Sequence, residues 1–278
     1  MGWCRMRLVA IGDNVVDYYQ DQGLIYPGGN ALNVAVAAKR NGAESCAYIG
    51  ILGDDRAAAH VFDCMRREDI DTSRIRRAYG PNGEARVTLN EERDRIFMGT
   101  NRNERIASLL QLKLTEDDIS YIGGYDLIHA SVNSDIEHEL EGLSQLPVAF
   151  DFSTPKRWSE LYLKQVCPHI DYAFFSGSEL TLAEIGDLMA CVHGYGVKVI
   201  GVTRGSEAAH FSAEGVRFEQ VPLAANVIDT MGAGDSFIGA FLSAYHGKWN
   251  MEEALQKAAR SAARTCENYG AFGYGIRK

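Results

Sequence analysis

The sequence predicts an α/β protein built on a largely parallel sheet with helices on both faces. Short apolar runs closed by glycine or by a polar residue recur along the chain. Helix-period segments separate them, and no low-complexity linker or internal repeat interrupts the alternation. A length of 278 residues is ordinary for a single domain of this class, so residues 1–278 are expected to form one domain.

Residues 7–12 read Arg-Leu-Val-Ala-Ile-Gly, apolar at successive positions, as a strand buried on both faces requires. Past Pro27-Gly28-Gly29, the alanine-rich residues 30–40 predict a helix that Gly42 stops. A second strand follows at 46–50. Residues 56–68 carry Ala58, Val61, Phe62 and Met65 at helical spacing behind two capping candidates, Asp54 and Asp55. The period then changes: Ala85, Val87 and Leu89 alternate with Glu84, Arg86, Thr88 and Asn90, which predicts an exposed hairpin over 84–97 with a charged turn. Strands are expected again at 126–131, 148–152, 172–175 and 197–203. Sheets of this kind bind ligands at the carboxyl ends of their strands.

A composition of 46% hydrophobic and 23% charged residues belongs to a folded globular chain. The net charge of −9 sets the average surface against nucleic acid and anionic membranes, so neither is expected as a partner. Arg93, Arg95, Arg102 and Arg105 are interleaved with Glu92, Asp94 and Glu104, which reads as a mixed solvated surface; the alternative is that some of these arginines bind a carboxylate or phosphate. Six scattered cysteines with no Cys-x-x-Cys pair suggest reduced, mostly buried thiols. No signal-like segment opens the sequence and no apolar stretch reaches membrane length, so a cytoplasmic protein is expected.

The stretch Asp229-Thr230-Met231-Gly232-Ala233-Gly234-Asp235-Ser236-Phe237 runs into a helix-like segment at 238–246. Glycine and alanine let backbone N–H groups converge, and a helix N-terminus adds partial positive charge, which suits a transferring phosphoryl group. A carboxylate inside such a loop opposes simple phosphate holding. It makes sense if Asp235 accepts the proton of an attacking hydroxyl. For the motif in isolation, a glycine-rich turn with Asp235 capping a helix remains the plain alternative.

Other chemistries fail on spacing. No Gly-x4-Gly-Lys-Ser/Thr is present, Phe237 stands where a dinucleotide fingerprint needs its third glycine, and His246 is the only histidine downstream of Ser236. The seven histidines form no metal-ligand pair.

Near the other end, Asp13, Asn14 and Asp17 follow the first strand, and Gly28-Gly29-Asn30-Ala31-Leu32-Asn33 opens the first helix. Carboxylates and amides bind vicinal hydroxyls, and a glycine pair admits close backbone approach. Asp13 as a turn residue and Asn33 as a surface amide are the alternatives. A third feature, Val202-Thr203-Arg204-Gly205, is a strand exit that lets a nucleotide lie near the backbone. Glu179 is expected to start a helix, where charge complementarity explains it as readily as a role near magnesium.

Together the Gly28-Gly29 to Asn33 opening, Thr203-x-Gly205 and Asp229-Thr230-x-Gly232-Ala233-Gly234-Asp235 resemble the ribokinase-like (PfkB) carbohydrate kinase family, in an order and spacing that span nearly the whole chain. The resemblance implies a Rossmann-like domain with a small β lid near 17–27 and 85–97. It implies Asp235 as the base, the backbone of Gly232, Ala233 and Gly234 as an anion hole, and Asp13, Asp17, Gly28, Gly29 and Asn33 around the sugar. Thr203 and Gly205 would border ATP, with Glu179 organising Mg²⁺ indirectly and Asp229 serving a monovalent-cation loop for K⁺. Ser176 stands where the family's Asn-x-x-Glu element has asparagine, and Ala208 where a glycine is usual.

Ile11-Gly12-Asp13-Asn14, Ala149-Phe150-Asp151-Phe152-Ser153 and Val227-Ile228-Asp229-Thr230-Met231 resemble fructoselysine 6-kinases. That implies phosphorylation of the 6-hydroxyl of fructoselysine or a related fructosamine. Fructokinase, ribokinase, nucleoside kinase and a non-catalytic sugar- or nucleotide-binding regulator are the alternatives. Arg86, Arg95, Arg102 and Arg105 are candidates by charge for the amino-acid portion, and the alternating segment 85–89 for a homodimer through the lid.

Overall fold

In the computed structural model the described residues are 6–90 and 95–278, the side chains of Leu89 and Arg95 excepted. Cys4, the opening residues 1–5 and the charged turn with Glu92, Arg93 and Asp94 lie outside them.

The chain begins with β1 (Arg7–Ile11), then the antiparallel pair β2 (Val15–Tyr19) and β3 (Leu24–Gly28), and returns through α1 (Asn30–Arg40). Next come β4 (Ser45–Ile49), β5 (Ile51–Leu52), α2 (Arg56–Arg67), β6 (Ile70–Asp71) and β7 (Arg76–Arg77). The expected hairpin follows as β8 (Gly83–Leu89) and β9 (Arg95–Thr100). Short helices α3 (Ile106–Leu109) and α4 (Glu116–Ile122) lead to β10 (Leu127–Ser131), β11 (Val148–Asp151), α5 (Glu160–Val166), β12 (Tyr172–Ser176), α6 (Leu182–Gly194) and β13 (Val199–Arg204). The chain closes with β14 (Glu207–Ala213), β15 (Val216–Gln220), α7 (Ala233–Tyr245), α8 (Met251–Cys266) and β16 (Ile276–Arg277).

The main sheet has nine strands in the order β15-β14-β13-β12-β11-β10-β1-β4-β6, parallel except where β14 joins β13 and β15. That two-strand antiparallel extension was not expected. β15 is largely exposed and carries little apolar signal, whereas β14 buries Ala209, Phe211 and Ala213 at alternate positions. From β1 the chain moves outward to β4 and later returns on the other side of β1 to β10. The order therefore reverses between β1 and β10, where a crevice opens at the carboxyl ends of the strands.

Both faces are covered. On β1, Leu8 and Ala10 join one apolar cluster with α1, α2, α7 and α8, while Val9 and Ile11 join a second with α4, α5 and α6. This two-sided burial is what the uninterrupted apolar strand required. Asp55 caps α2 by accepting from the Ala58 N–H at 2.8 Å, as its position before the helix predicts.

A second, five-stranded sheet runs β16-β3-β2-β8-β9 and contains both segments expected near 17–27 and 85–97. Ala85 and Val87 point inward from β8 and Arg86 outward. The expectation that residues 85–89 pair with a second subunit is corrected: β8 lies between β2 and β9, so both its edges are already used. Of the described cysteines, Cys46, Cys64 and Cys167 are buried and Cys191 and Cys266 partly so, all as free thiols.

Candidate active site

The site forms where the N-termini of α1 and α7 meet over the carboxyl ends of β1, β10 and β11. Gly29 ends β3's approach with φ +108, and a Cβ on it would lie 2.7 Å from the Asp13 carbonyl oxygen. Only glycine fits both that conformation and that approach. Gly29 has no side chain to cap α1. The Asp13 carboxylate does so from β1's exit, accepting from the Asn30 N–H at 2.9 Å and the Ala31 N–H at 3.2 Å. Asp13 is buried, and burial raises its pKa despite those two bonds and the positive charge of Arg105.

One helical turn apart on α1, Asn30 and Asn33 face α7 and hold Asp235 between them. Asn30 Nδ2 donates to Asp235 Oδ1 at 2.8 Å and Asn33 Nδ2 to Asp235 Oδ2 at 2.6 Å. Asn30 Nδ2 also donates to Asp151 Oδ2 at 2.6 Å. The orientation of this amide is set from behind: His129 Nε2 lies 3.1 Å from Asn30 Oδ1. Burial lowers the His129 pKa to about 3, so the imidazole is neutral and donates from Nε2. Burial, then the neighbouring charge of Asp235, raises Asp151 to about 7.

Asp229 is fully buried ahead of the glycine-rich loop. Its carboxylate accepts from the Tyr19 hydroxyl on β2, from the Met231 N–H at 2.9 Å and from the Gly270 N–H at 2.8 Å. Gly232 adopts φ +73, and a Cβ there would lie 2.4 Å from the Ala271 Cβ. Helix α7 then starts at Ala233, five residues before the expected 238, so Gly234 and Asp235 lie in its first turn. The Ala233 N–H donates to the Thr230 carbonyl at 3.2 Å, whereas the ladder begins with the Ser236 N–H to Gly232 at 2.8 Å. The Gly234 and Asp235 amides thus precede the first helical bond, at the positive end of the dipole. A Cβ on Gly234 would meet open space.

Asp17, on β2, is buried with its carboxylate over the backbone of Gly28, where a Cβ would come within 2.3 Å of Oδ2. Asp13, Gly28, Gly29, Asn33 and Asp235 are therefore drawn together around the crevice, with Asp17 on its small-sheet side. Thr203, Gly205 and Glu179 form a second group two strands along. Thr203 pairs with Ser176 across β12 and β13, and Gly205 turns with φ +63. Glu179 does not start a helix: α6 is capped by Thr181, with Glu184 completing the capping box, and Glu179 is exposed in the loop before it, 3.1 Å from Lys156 Nζ.

Asn30, Asp151 and His129 escaped the reading of the sequence. Asp151 had a signal, since it is an acid ending a buried apolar strand at the ligand-binding edge. Asn30 stood inside the Gly28-to-Asn33 run without a reason to prefer it. His129 had none, because only the fold places it behind Asn30.

The model of the pfkB family carbohydrate kinases matches residues 2–273. The chain is 52% identical over 271 residues to the fructosamine kinase FrlD of Bacillus subtilis (strain 168), covering 97% of this chain and 94% of that one. It is 31% identical to the fructoselysine 6-kinase of Escherichia coli (strain K12), over 95% of this chain and 99% of that one. Among solved structures, a fructokinase with bound ATP from Xylella fastidiosa superposes with a TM-score of 0.78 at 21% identity, over 97% of this chain and 94% of that chain. An Arabidopsis thaliana ribokinase complexed with ribose and ATP gives 0.77 at 20% identity, over 96% and 94%. These two show the fold to be ribokinase-like. With its glycine-rich loop, capping geometry and full-length match in agreement, the chain belongs to the pfkB family of carbohydrate kinases.

Proposed function

We propose that this kinase transfers the γ-phosphoryl group of ATP to the 6-hydroxyl of a fructosamine, with fructoselysine and related sugar–amino-acid adducts as the substrate class. The observation that carries the chemistry is the grip of Asn30 and Asn33 on Asp235 at the first turn of α7. Each carboxylate oxygen accepts one such amide and has a further lone pair, so a substrate hydroxyl can bind without displacing either. The hydroxyl oxygen attacks the γ-phosphorus, its proton passes to Asp235, and the bond to the bridging oxygen of ADP breaks. The Gly234 and Asp235 amides and the α7 dipole stabilise the charge gathered on the phosphoryl oxygens. Ala233 contributes through its absence of bulk, its amide being used in the turn.

Asp17 and Asn33 bind sugar hydroxyls, the Gly28-Gly29 backbone admits the ring, and Asp13 acts by holding α1. The nucleotide lies along Thr203 and Gly205. Glu179, exposed beside that group, suits a hydrated Mg²⁺, which on binding neutralises phosphate charge. For K⁺, Asp229 is a poor donor, since its oxygens already serve Tyr19, Met231 and Gly270.

Residues 1–278 act as one domain in which the small sheet is the lid. Its outer strand, β9, exposes Ile96, Phe97 and Met98 and is the edge on which a homodimer would form. A cytoplasmic setting accords with ATP as donor and with the free thiols. No described helix is long and apolar enough to cross a membrane. The bulk charge gives no purchase for nucleic acid.

A coupled ADP-release assay over fructoselysine, fructose, ribose and adenosine tests the reading, with the product located by NMR. Asp235→Asn is expected to fold as the parent and lose about 10²- to 10⁴-fold in kcat. Near-normal turnover of that variant would remove Asp235 from the role of base.

A further inference from the structure

A cavity of about 530 Å³ opens beside Asp13, between the turn after β1 (Gly12, Asp13), the loop after β10 (Asn133, Asp135) and the segment after β9 (Arg102, Arg105). That size is within the range of about 300–1,000 Å³ common for small-molecule sites. The cavity extends away from Asp235. Its apolar wall, Ile51 and Leu112, belongs to the cluster on the opposite face of the main sheet from α7.

The far end is basic. Asp135 Oδ1 lies 2.9 Å from Arg102 Nη2 and Oδ2 lies 3.8 Å from Arg105 Nη2, so two guanidinium groups share this carboxylate, with buried Asp13 at the cavity's other end. Arg105 is not the solvated surface cation its charged neighbours in sequence suggest. Its side chain is 12% exposed, and Nε is fixed by the Ser108 hydroxyl at 2.7 Å. An enclosed guanidinium held in place in this way is set to meet a carboxylate without first being ordered. Asp135 is held at φ +53, a backbone region uncommon for a residue with a side chain, and this conformation brings its carboxylate to the two arginines. Of the other arginines singled out by charge, Arg86 is on β8 with Glu84 3.8 Å away, outside this cavity. The side chain of Arg95 is outside the described residues.

In a fructosamine the amino acid is attached at carbon 1, at the opposite end of the sugar from the 6-hydroxyl. A sugar placed with that hydroxyl at Asp235 sends its substituent past Asp13 and away from α7. We infer that this cavity receives the amino-acid end of the substrate, with Arg102 and Arg105 binding its carboxylate and Asp135 its positively charged amine. The inference rests on the fructosamine reading and sharpens it. A bare ketohexose leaves the arginine pair unused, whereas a sugar–amino-acid adduct supplies a carboxylate in a geometry that guanidinium groups match.

The test compares kcat/KM for fructosylglycine and fructoselysine with that for 1-amino-1-deoxyfructose, which keeps the amine and lacks the carboxylate. Arg102→Gln, at the exposed end, is paired with Arg105→Gln so that a folding defect in the latter leaves the former readable. The ratio of adduct to carboxylate-free substrate is expected to fall about 10- to 100-fold, mostly through KM, as loss of a hydrogen bond between charged groups predicts. Fructosylglycine holds its carboxylate close to the amine and fructoselysine at the end of a four-methylene chain, so the substrate that loses more reports where the carboxylate sits. A ratio within about twofold of the parent's for both adducts in folded Arg102→Gln overturns the inference alone. A parent enzyme that phosphorylates other sugars but no fructosamine overturns the underlying reading, and this one with it.

Discussion

Asp151 and Asp235 are bridged by a single amide nitrogen of Asn30, and the proximity of two acids in a buried place has a measurable consequence. Burial and the charge of Asp235 hold the Asp151 pKa at about 7, against an ordinary 3.8. Between those values the folded chain keeps a proton that the unfolded chain has released. The resulting stabilisation is complete below about pH 4 and is lost as pH rises to about 7. A residue that cannot titrate lacks this slope. Urea unfolding from pH 4 to 9 should therefore show the parent losing stability relative to Asp151→Asn up to about pH 7 and levelling off above it. One pKa unit is worth about 1.4 kcal/mol, which bounds the change at about 4 kcal/mol. A difference independent of pH would mean that Asp151 ionises as it does in water.

At the scale of elements, the site depends on how closely α1 and α7 approach. A Cβ on Gly239 of α7 would lie 2.7 Å from the Ala37 Cβ, the Ala38 nitrogen and the Val34 carbonyl oxygen of α1, contacts that leave no room for a methyl group. In an open helix, replacing glycine by alanine stabilises by about 0.5–1 kcal/mol. Here the sign should reverse. Gly239→Ala is expected to cost about 1–3 kcal/mol as the helices part, with a lowered melting temperature. Because the same approach sets the 2.6 Å bond between Asn33 and Asp235, turnover should fall more than tenfold, displacements of about 1 Å costing on the order of 100-fold. A variant more stable than the parent and equally active would show that the contact does not position the base.

For the whole molecule, the question is what ties the small sheet to the main one. The Tyr19 hydroxyl on β2 reaches the buried Asp229 ahead of the catalytic loop, and burial together with that carboxylate raises the tyrosine pKa. On the outer side, β16 pairs with β3, and Lys278 Nζ lies 2.6 Å from Glu84 Oε2 on β8. Tyr19→Phe removes the first link while keeping the ring that packs 5.0 Å from Tyr26, so lost packing is not the cause of any change. Leaving a buried carboxylate one donor short should cost about 1–3 kcal/mol in urea unfolding. A sugar KM raised with little change in that for ATP would show that the link sets the small sheet over the sugar. Unchanged stability and unchanged KM would show that this link does not hold the small sheet in place.

The sequence by itself determined the class of fold, since short apolar runs closed by glycine or a polar residue and separated by helix-period segments are the pattern of strands buried on both faces. It also marked the glycine-rich loop with its single acid, because the positive φ and close approach at Gly232 are demands that only glycine meets. The loop position of Glu179 follows from a local signal, the capping box of Thr181 and Glu184, whereas the capping duty of Asp13 and the turn of Gly232 against Ala271 that starts α7 were decided by neighbours distant in the chain. The same holds for the Asn30, Asp151 and His129 network and for the enclosure of Arg105. Each of these depends on which polar group faces which across a gap of a few ångströms. Spacing along one segment does not contain that information until the strand order brings the segments together.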